Sequence, residues 1–130
     1  MIEDYFRQLE RTIAETVGVH SSHITYDKRS TTIGFVRGDI YFTDGSLLHL
    51  REFVSTERRI ERYMYVYHYQ RTDGTLVFRY DSAPHFPALS SFPHQKHDGS
   101  DTHVIETPPA DLNSVLEEIT SQLSLPSQEE

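Results

Sequence analysis

The chain has 130 residues, a formal net charge of −8 and no cysteine. That length suits one domain with its own core, and the missing thiols exclude disulfides and thiolate metal sites. The acidity argues against strong non-specific attraction to nucleic acid but leaves room for a local basic patch.

Ile2, Tyr5, Phe6, Leu9, Ile13 and Val17 recur at helical spacing and predict an amphipathic helix over residues 2–17, with Gly18 as its stop. A short strand is expected over residues 24–28. A long one is expected over 32–43, where Gly34 and Gly38 permit a bend or bulge. Asp44-Gly45 is a two-residue hairpin signal, and the chain returns over 46–54. Residues 60–70 make the next strand, and Asp73-Gly74 turns it into a strand over 75–81. Near the C-terminus Thr107 can cap a helix and Pro108 suits its first turn, with Leu112, Val115, Leu116, Ile119 and Leu123 as its stripe. Residues 126–130 read as a flexible tail. The expected fold is therefore α+β: a four- to five-stranded antiparallel sheet with the N- and C-terminal helices packed on one face. Residues 1–125 would form a single domain. No stretch approaches the roughly 20 apolar residues of a membrane helix, and residues 1–9, with Glu3 and Asp4, lack the apolar run of a signal peptide. The expected location is the cytoplasm, with no membrane partner.

Hairpin registers say which side chains meet. With Asp73-Gly74 as the loop, Tyr69 faces Phe78, His68 faces Arg79, Tyr67 faces Tyr80 and Val66 faces Asp81. Side chains alternate between faces. One face then carries Tyr65, Tyr67, Tyr69, Phe78 and Tyr80, the expected core side, and the other carries His68, Arg79 and Asp81. A two-residue loop at Asp44-Gly45 would set Arg37 opposite Glu52, Asp39 opposite Leu50 and Ile40 opposite His49. Arg37 and Glu52 would then be an ordinary cross-strand ion pair or a pair of substrate-binding groups.

Chemistry is concentrated in residues 79–97. The segment starts as a strand, breaks at Pro84, stays extended through Phe86-Pro87 and Phe92-Pro93, and closes on His94-Gln95-Lys96-His97. Four of the eight histidines lie between His85 and His103. Histidine carries protons near neutral pH without special tuning. One reading is phosphodiester cleavage, with histidines as general base and acid and with Arg79 and Lys96 stabilising transition-state charge. A second is a divalent-metal site of His85, His94 and His97 with Asp81, although that spacing matches no zinc signature. A third is a docking loop anchored by Phe86 and Phe92. The plainest is a surface loop whose histidines bond backbone groups.

The stretches Tyr65-Val66-Tyr67-His68-Tyr69-Gln70, Leu76-Val77-Phe78-Arg79-Tyr80-Asp81-Ser82-Ala83-Pro84-His85 and Phe92-Pro93-His94-Gln95-Lys96-His97, with Asp44-Gly45-Ser46 and Glu52, resemble the TumE family, the toxin half of TumE–TumA toxin–antitoxin pairs. Members often carry two adjacent histidines where this chain has His94-Gln95. The resemblance implies a growth-inhibiting toxin held by a DNA-binding antitoxin. Ribonuclease activity is the chemistry expected of a toxin this small. The candidate catalytic residues are His68, Arg79, Asp81, His85, His94 and His97, with His85 and His97 favoured as the acid/base pair. Arg37, Glu52, Tyr80 and Lys96 are the candidate substrate-binding residues. No cofactor is expected, because only Asp81 among carboxylates lies in the segment, whereas magnesium sites usually gather several. RNA and a second copy of the chain are further expected partners, the latter through an uncovered sheet edge.

Overall fold

The computed structural model describes residues 1–82, 94–100 and 103–124. His85, the two phenylalanine anchors of the expected docking loop and the expected tail at 126–130 lie outside the described residues.

Helix α1 spans Ile2–Ala14, and Ile2, Tyr5, Leu9 and Ile13 form its buried stripe. It ends three residues before the expected Val17, which is exposed at 87%. Gly18, at φ +96°, turns the chain into the first strand, and its carbonyl accepts the Thr43 amide at 2.9 Å. Strands β1 (Val19–Lys28), β2 (Ile33–Phe42), β3 (Leu47–Ser55), β4 (Glu61–Gln70), β5 (Leu76–Asp81), β6 (Gln95–Asp98) and β7 (Val104–Glu106) follow, and helix α2 spans Leu112–Ser124.

The seven strands of the described residues form one antiparallel sheet in chain order. The expectation of four to five strands is corrected at this point. The two additional strands, β6 and β7, have four and three residues. Strands so short carry no alternating pattern from which to read them. The first strand is also longer than expected, because its polar residues from Ser21 to His23 pair with β2 although they carry no apolar signal.

Both helices pack on the aromatic face, as expected. Tyr65, Tyr67, Tyr69 and Phe78 join Ile2, Leu9, Leu116 and Ile119 in a single core. At Gly34 an added Cβ would stand 2.6 Å from the Phe6 ring and 2.7 Å from Ile2, so the glycine lets α1 lie against β2. Gly34 and Gly38 sit in regular pairing, and the register shift falls instead between Val19 and Ser21. Helix α2 begins four residues beyond Pro108. Asp111 caps it: its Oδ1 accepts the Ser114 amide at 2.8 Å, and Ser114 Oγ accepts the Asp111 amide at 3.3 Å, the reciprocal pattern of a capping box.

The register at Asp44-Gly45 is also corrected. Phe42 and Ser46 close a three-residue loop with Gly45 at φ +87°, so Arg37 faces Arg51, Asp39 faces His49 and Val36 faces Glu52. Glu52 is thereby turned into the core, away from Arg37. The Asp73-Gly74 hairpin uses the same loop, but an irregularity between Tyr69 and Gln70 restores the count. Tyr69–Phe78, His68–Arg79, Tyr67–Tyr80 and Val66–Asp81 pair as expected.

Candidate active site on the helix-free sheet face

Alternation sends every second side chain to the face opposite the helices, and the registers line these up across strands. His23 lies opposite Asp39, Asp39 opposite His49, His49 opposite His68, His68 opposite Arg79, and Arg79 opposite His97. One row of titratable and cationic groups therefore crosses β1 to β6. His49 Nδ1 and Asp39 Oδ1 are 2.8 Å apart.

The row is most closely knit at β5 and β6. Arg79 Nε donates to Asp81 Oδ2 at 3.0 Å, and His97 Nε2 lies 3.4 Å from the same oxygen. The Asp81 side chain is 3% exposed and that of Arg79 34%. The carboxylate is thus a buried anchor, while the guanidinium still reaches solvent. His68 flanks Arg79 on the side opposite His97. Two strand spacings put the backbones of the two histidines roughly 10 Å apart, with the guanidinium between them. Gln95, opposite Asp81, is buried, and among the described residues its Nε2 has no hydrogen-bond partner.

The other face holds a separate polar cluster. The Tyr5 hydroxyl from α1 donates to Glu52 Oε1 and the Tyr67 hydroxyl donates to Oε2. Burial raises the Glu52 carboxyl above its ordinary range, opposed by these two hydrogen bonds and by the charge of Arg62. Both tyrosines are pushed up in turn, first by burial and then by the carboxylate. Arg62 reaches this face because of a bulge between Phe53 and Val54. With Tyr5, Asp111 and Asn113 it lines a cleft of about 390 Å³ between the helices. His94 also lies on this side. Its ring stacks on Tyr65 with centroids 5.8 Å apart, and its Nδ1 is 2.8 Å from the Tyr65 hydroxyl. Burial and then Arg62 depress its pKa, which favours a neutral ring that accepts from the phenol. Tyr80 and Lys96 hold α2: the Tyr80 hydroxyl donates to Glu118 at 2.7 Å and Lys96 Nζ to the other oxygen at 3.0 Å.

The family model described as Toxin TumE matches residues 6–123. The chain belongs to the TumE toxin family. No curated protein and no solved structure matches it. As a TumE toxin it has an antitoxin as its general class of partner.

The structure divides the residues that the sequence singled out in this TumE chain. His68, Arg79, Asp81 and His97 share the helix-free face, and Arg37 lies exposed on the same face beside β3. His94, Glu52, Tyr80 and Lys96 belong to the helix side. Among the described residues, no group of three or more histidines and carboxylates is arranged to hold a metal ion. No helix among them is long and apolar enough to cross a membrane. Sequence reasoning did not place His23, Asp39 and His49 in line with His68, because the correct register of the first hairpin was needed for that. It also missed the Tyr5–Glu52–Tyr67 contact, which joins residues far apart in the chain and has no motif.

Proposed function

We propose that this toxin is a ribonuclease that works without a metal ion, with its reaction centre on the helix-free face. The supporting observation is the cross-strand order His68–Arg79–His97, with Asp81 bonded to Arg79 and close to His97. A phosphodiester held on the guanidinium would have an imidazole on either side. One histidine takes the proton of the 2′-hydroxyl as that oxygen bonds to phosphorus. The other gives a proton to the 5′-oxygen as its bond to phosphorus breaks. The products are a 2′,3′-cyclic phosphate and a free 5′-hydroxyl. Arg79 spreads donors over the non-bridging oxygens, which gain charge in the transition state. Asp81 orients Arg79 and His97 and is not itself a proton carrier. Its Oδ2 is already engaged by both, unlike the open carboxylates that a magnesium ion needs. His85, which the sequence favours as the partner of His97, remains a candidate beside His68.

The partner that restrains such a toxin would be an antitoxin of the DNA-binding type, and the place of action the cytoplasm, where RNA is exposed. Strand β1 leaves one long edge of the sheet unpaired among the described residues. A second copy of the chain could pair along it. The test is RNA cleavage by purified protein in EDTA, with cyclic-phosphate ends as the product. His97→Asn and His68→Asn should each slow cleavage by about 100-fold or more. Loss of activity in EDTA would refute the metal-free reaction. Full activity in both variants would remove the row from the mechanism. Unchanged growth of the host on expression without the antitoxin would count against the toxin action itself.

A further inference from the structure

Beside the histidine row, the helix-free face carries a second arrangement that cleavage does not use. Arg37 and Arg51 are directly opposite on β2 and β3, both exposed, and among the described residues neither is in an ion pair. Like charges facing each other across strands are unfavourable. A chain with a net charge of −8 has many acidic groups that could have been set there instead. One step further along the same strands, Phe35 faces Phe53. The bulge that carries Arg62 inward sends Tyr63 outward, where it is 58% exposed and lies 5.9 Å from the Phe53 ring. The guanidinium of Arg29 sits 5.7 Å from the centre of the Phe35 ring. On β3 the sequence of this face is therefore aromatic, cationic, imidazole: Phe53, Arg51, His49. Each step is about 7 Å, two residues of strand.

We propose that Arg37 and Arg51, with Phe35, Phe53 and Tyr63, form a platform for single-stranded RNA that feeds the His68–Arg79–His97 row. The proposal rests on the ribonuclease reading above. The ligand class follows from the residue types. An unpaired arginine pair attracts phosphates. Exposed rings on a sheet surface stack unpaired bases, which a duplex keeps hidden. Phosphates on the arginine pair and bases on the rings would aim the strand along β3 toward the imidazoles. The acidity of the whole chain does not oppose this, because screening confines the interaction to the patch.

The experiment uses full-length protein carrying His97→Asn to suppress cleavage, and fluorescein-labelled oligouridine read by anisotropy. Binding should weaken with salt. Arg37→Gln with Arg51→Gln should weaken it by about tenfold or more and flatten the salt dependence by roughly 0.7 per lost phosphate contact. Tyr63→Ala should weaken it about fivefold or more at an unchanged salt slope, since stacking and not charge is lost. Tyr63 is exposed, so this variant removes a stacking ring without truncating the half-buried Phe53. A duplex of equal length should compete poorly. Equal affinity and slope in the double arginine variant would overturn the platform. So would unchanged oligouridine binding combined with loss of neutralisation by the antitoxin, which would give the face to the protein partner. The two readings fail separately. Wild-type cleavage that these substitutions leave unchanged removes the platform alone, and platform-dependent binding by a wild-type protein that cannot cleave removes the ribonuclease alone.

Discussion

Tyr67→Phe tests the buried cluster most directly. The Tyr67 hydroxyl and that of Tyr5 donate to the two oxygens of Glu52, which is fully buried. The substitution keeps the ring and removes one donor from a carboxylate that water cannot reach. A hydrogen bond to a charged group contributes about 1.5–3 kcal/mol, and one between neutral groups about 0.5–1.5 kcal/mol. The cost should therefore depend on whether Glu52 is ionised. Burial raises its folded pKa above the ordinary 4.5, so in the folded protein it stays protonated to higher pH than in the unfolded chain. The stability linked to that proton is complete below about 4.5 and is lost as pH climbs through the folded value. Because the phenol stabilises the charged form, removing it pushes the folded value further up and extends the loss. The expected cost is near the lower range at pH 4 and near the upper range at pH 8. At roughly 3–5 °C per kcal/mol for a domain of this size, Tm should fall by about 5–15 °C at pH 8 and by clearly less at pH 4. Thermal or urea unfolding of both proteins at the two pH values measures the difference. A cost that is equal at both, or greater at pH 4, would refute the reasoning.

Gly34→Ala should destabilise the fold by about 1–3 kcal/mol in urea titrations, because the added methyl meets Phe6 and Ile2 and forces α1 away from β2. Asp111→Ala should cost about 0.5–2 kcal/mol through loss of the α2 cap, with Asp111→Asn or Asp111→Ser recovering most of it in the same titration. Arg79→Lys keeps the charge but loses the planar fork beside Asp81, so RNA cleavage should slow by about 100-fold in single-turnover assays.

The two hairpins show what could be read from the sequence and what could not. Both contain Asp-Gly, and both use a three-residue loop with the glycine in the left-handed region, Gly45 at φ +87° and Gly74 at φ +88°. Counting two loop residues is therefore off by one in each. After Asp73-Gly74 the compensating irregularity beside Gln70 cancels the error, and His68 is correctly paired with Arg79. Nothing cancels it after Asp44-Gly45, so the two-residue count sets Glu52 opposite Arg37 although Glu52 belongs to the core. A slip of one residue exchanges the faces of a strand, which is why the fault reached the candidate site. The strands β6 and β7 escaped for another reason. Their pairing depends on the exposed edge of β5, a tertiary condition that neither Gln95–Asp98 nor Val104–Glu106 announces locally. The helices were legible because their apolar spacing is long enough to average over. Their ends were not, since the first turn of α2 is decided by Asp111 and not by the Thr107-Pro108 pair.

The division of polar groups between the two faces leads to a last expectation. The Tyr5–Glu52–Tyr67 cluster lies under the helices, and the His68–Arg79–His97 row lies on the opposite surface. A sheet separates them: Glu52 accepts from Tyr5 and Tyr67, whereas Arg79 and His97 meet at Asp81. Perturbations at distant sites with no shared partner add nearly independently. Tyr67→Phe should thus lower Tm while leaving the cleavage rate of the folded protein unchanged at 25 °C. His97→Asn should do the reverse, cutting the rate by about 100-fold while moving Tm much less, because Asp81 keeps Arg79 as a partner. The double variant separates coupling from coincidence. If the faces are independent, its Tm matches that of Tyr67→Phe and its rate matches that of His97→Asn. A rate that falls with Tyr67→Phe alone, at a temperature where circular dichroism shows the protein fully folded, would mean that the buried carboxylate acts on the chemistry through the sheet. Catalysis would then have to be assigned to both faces together.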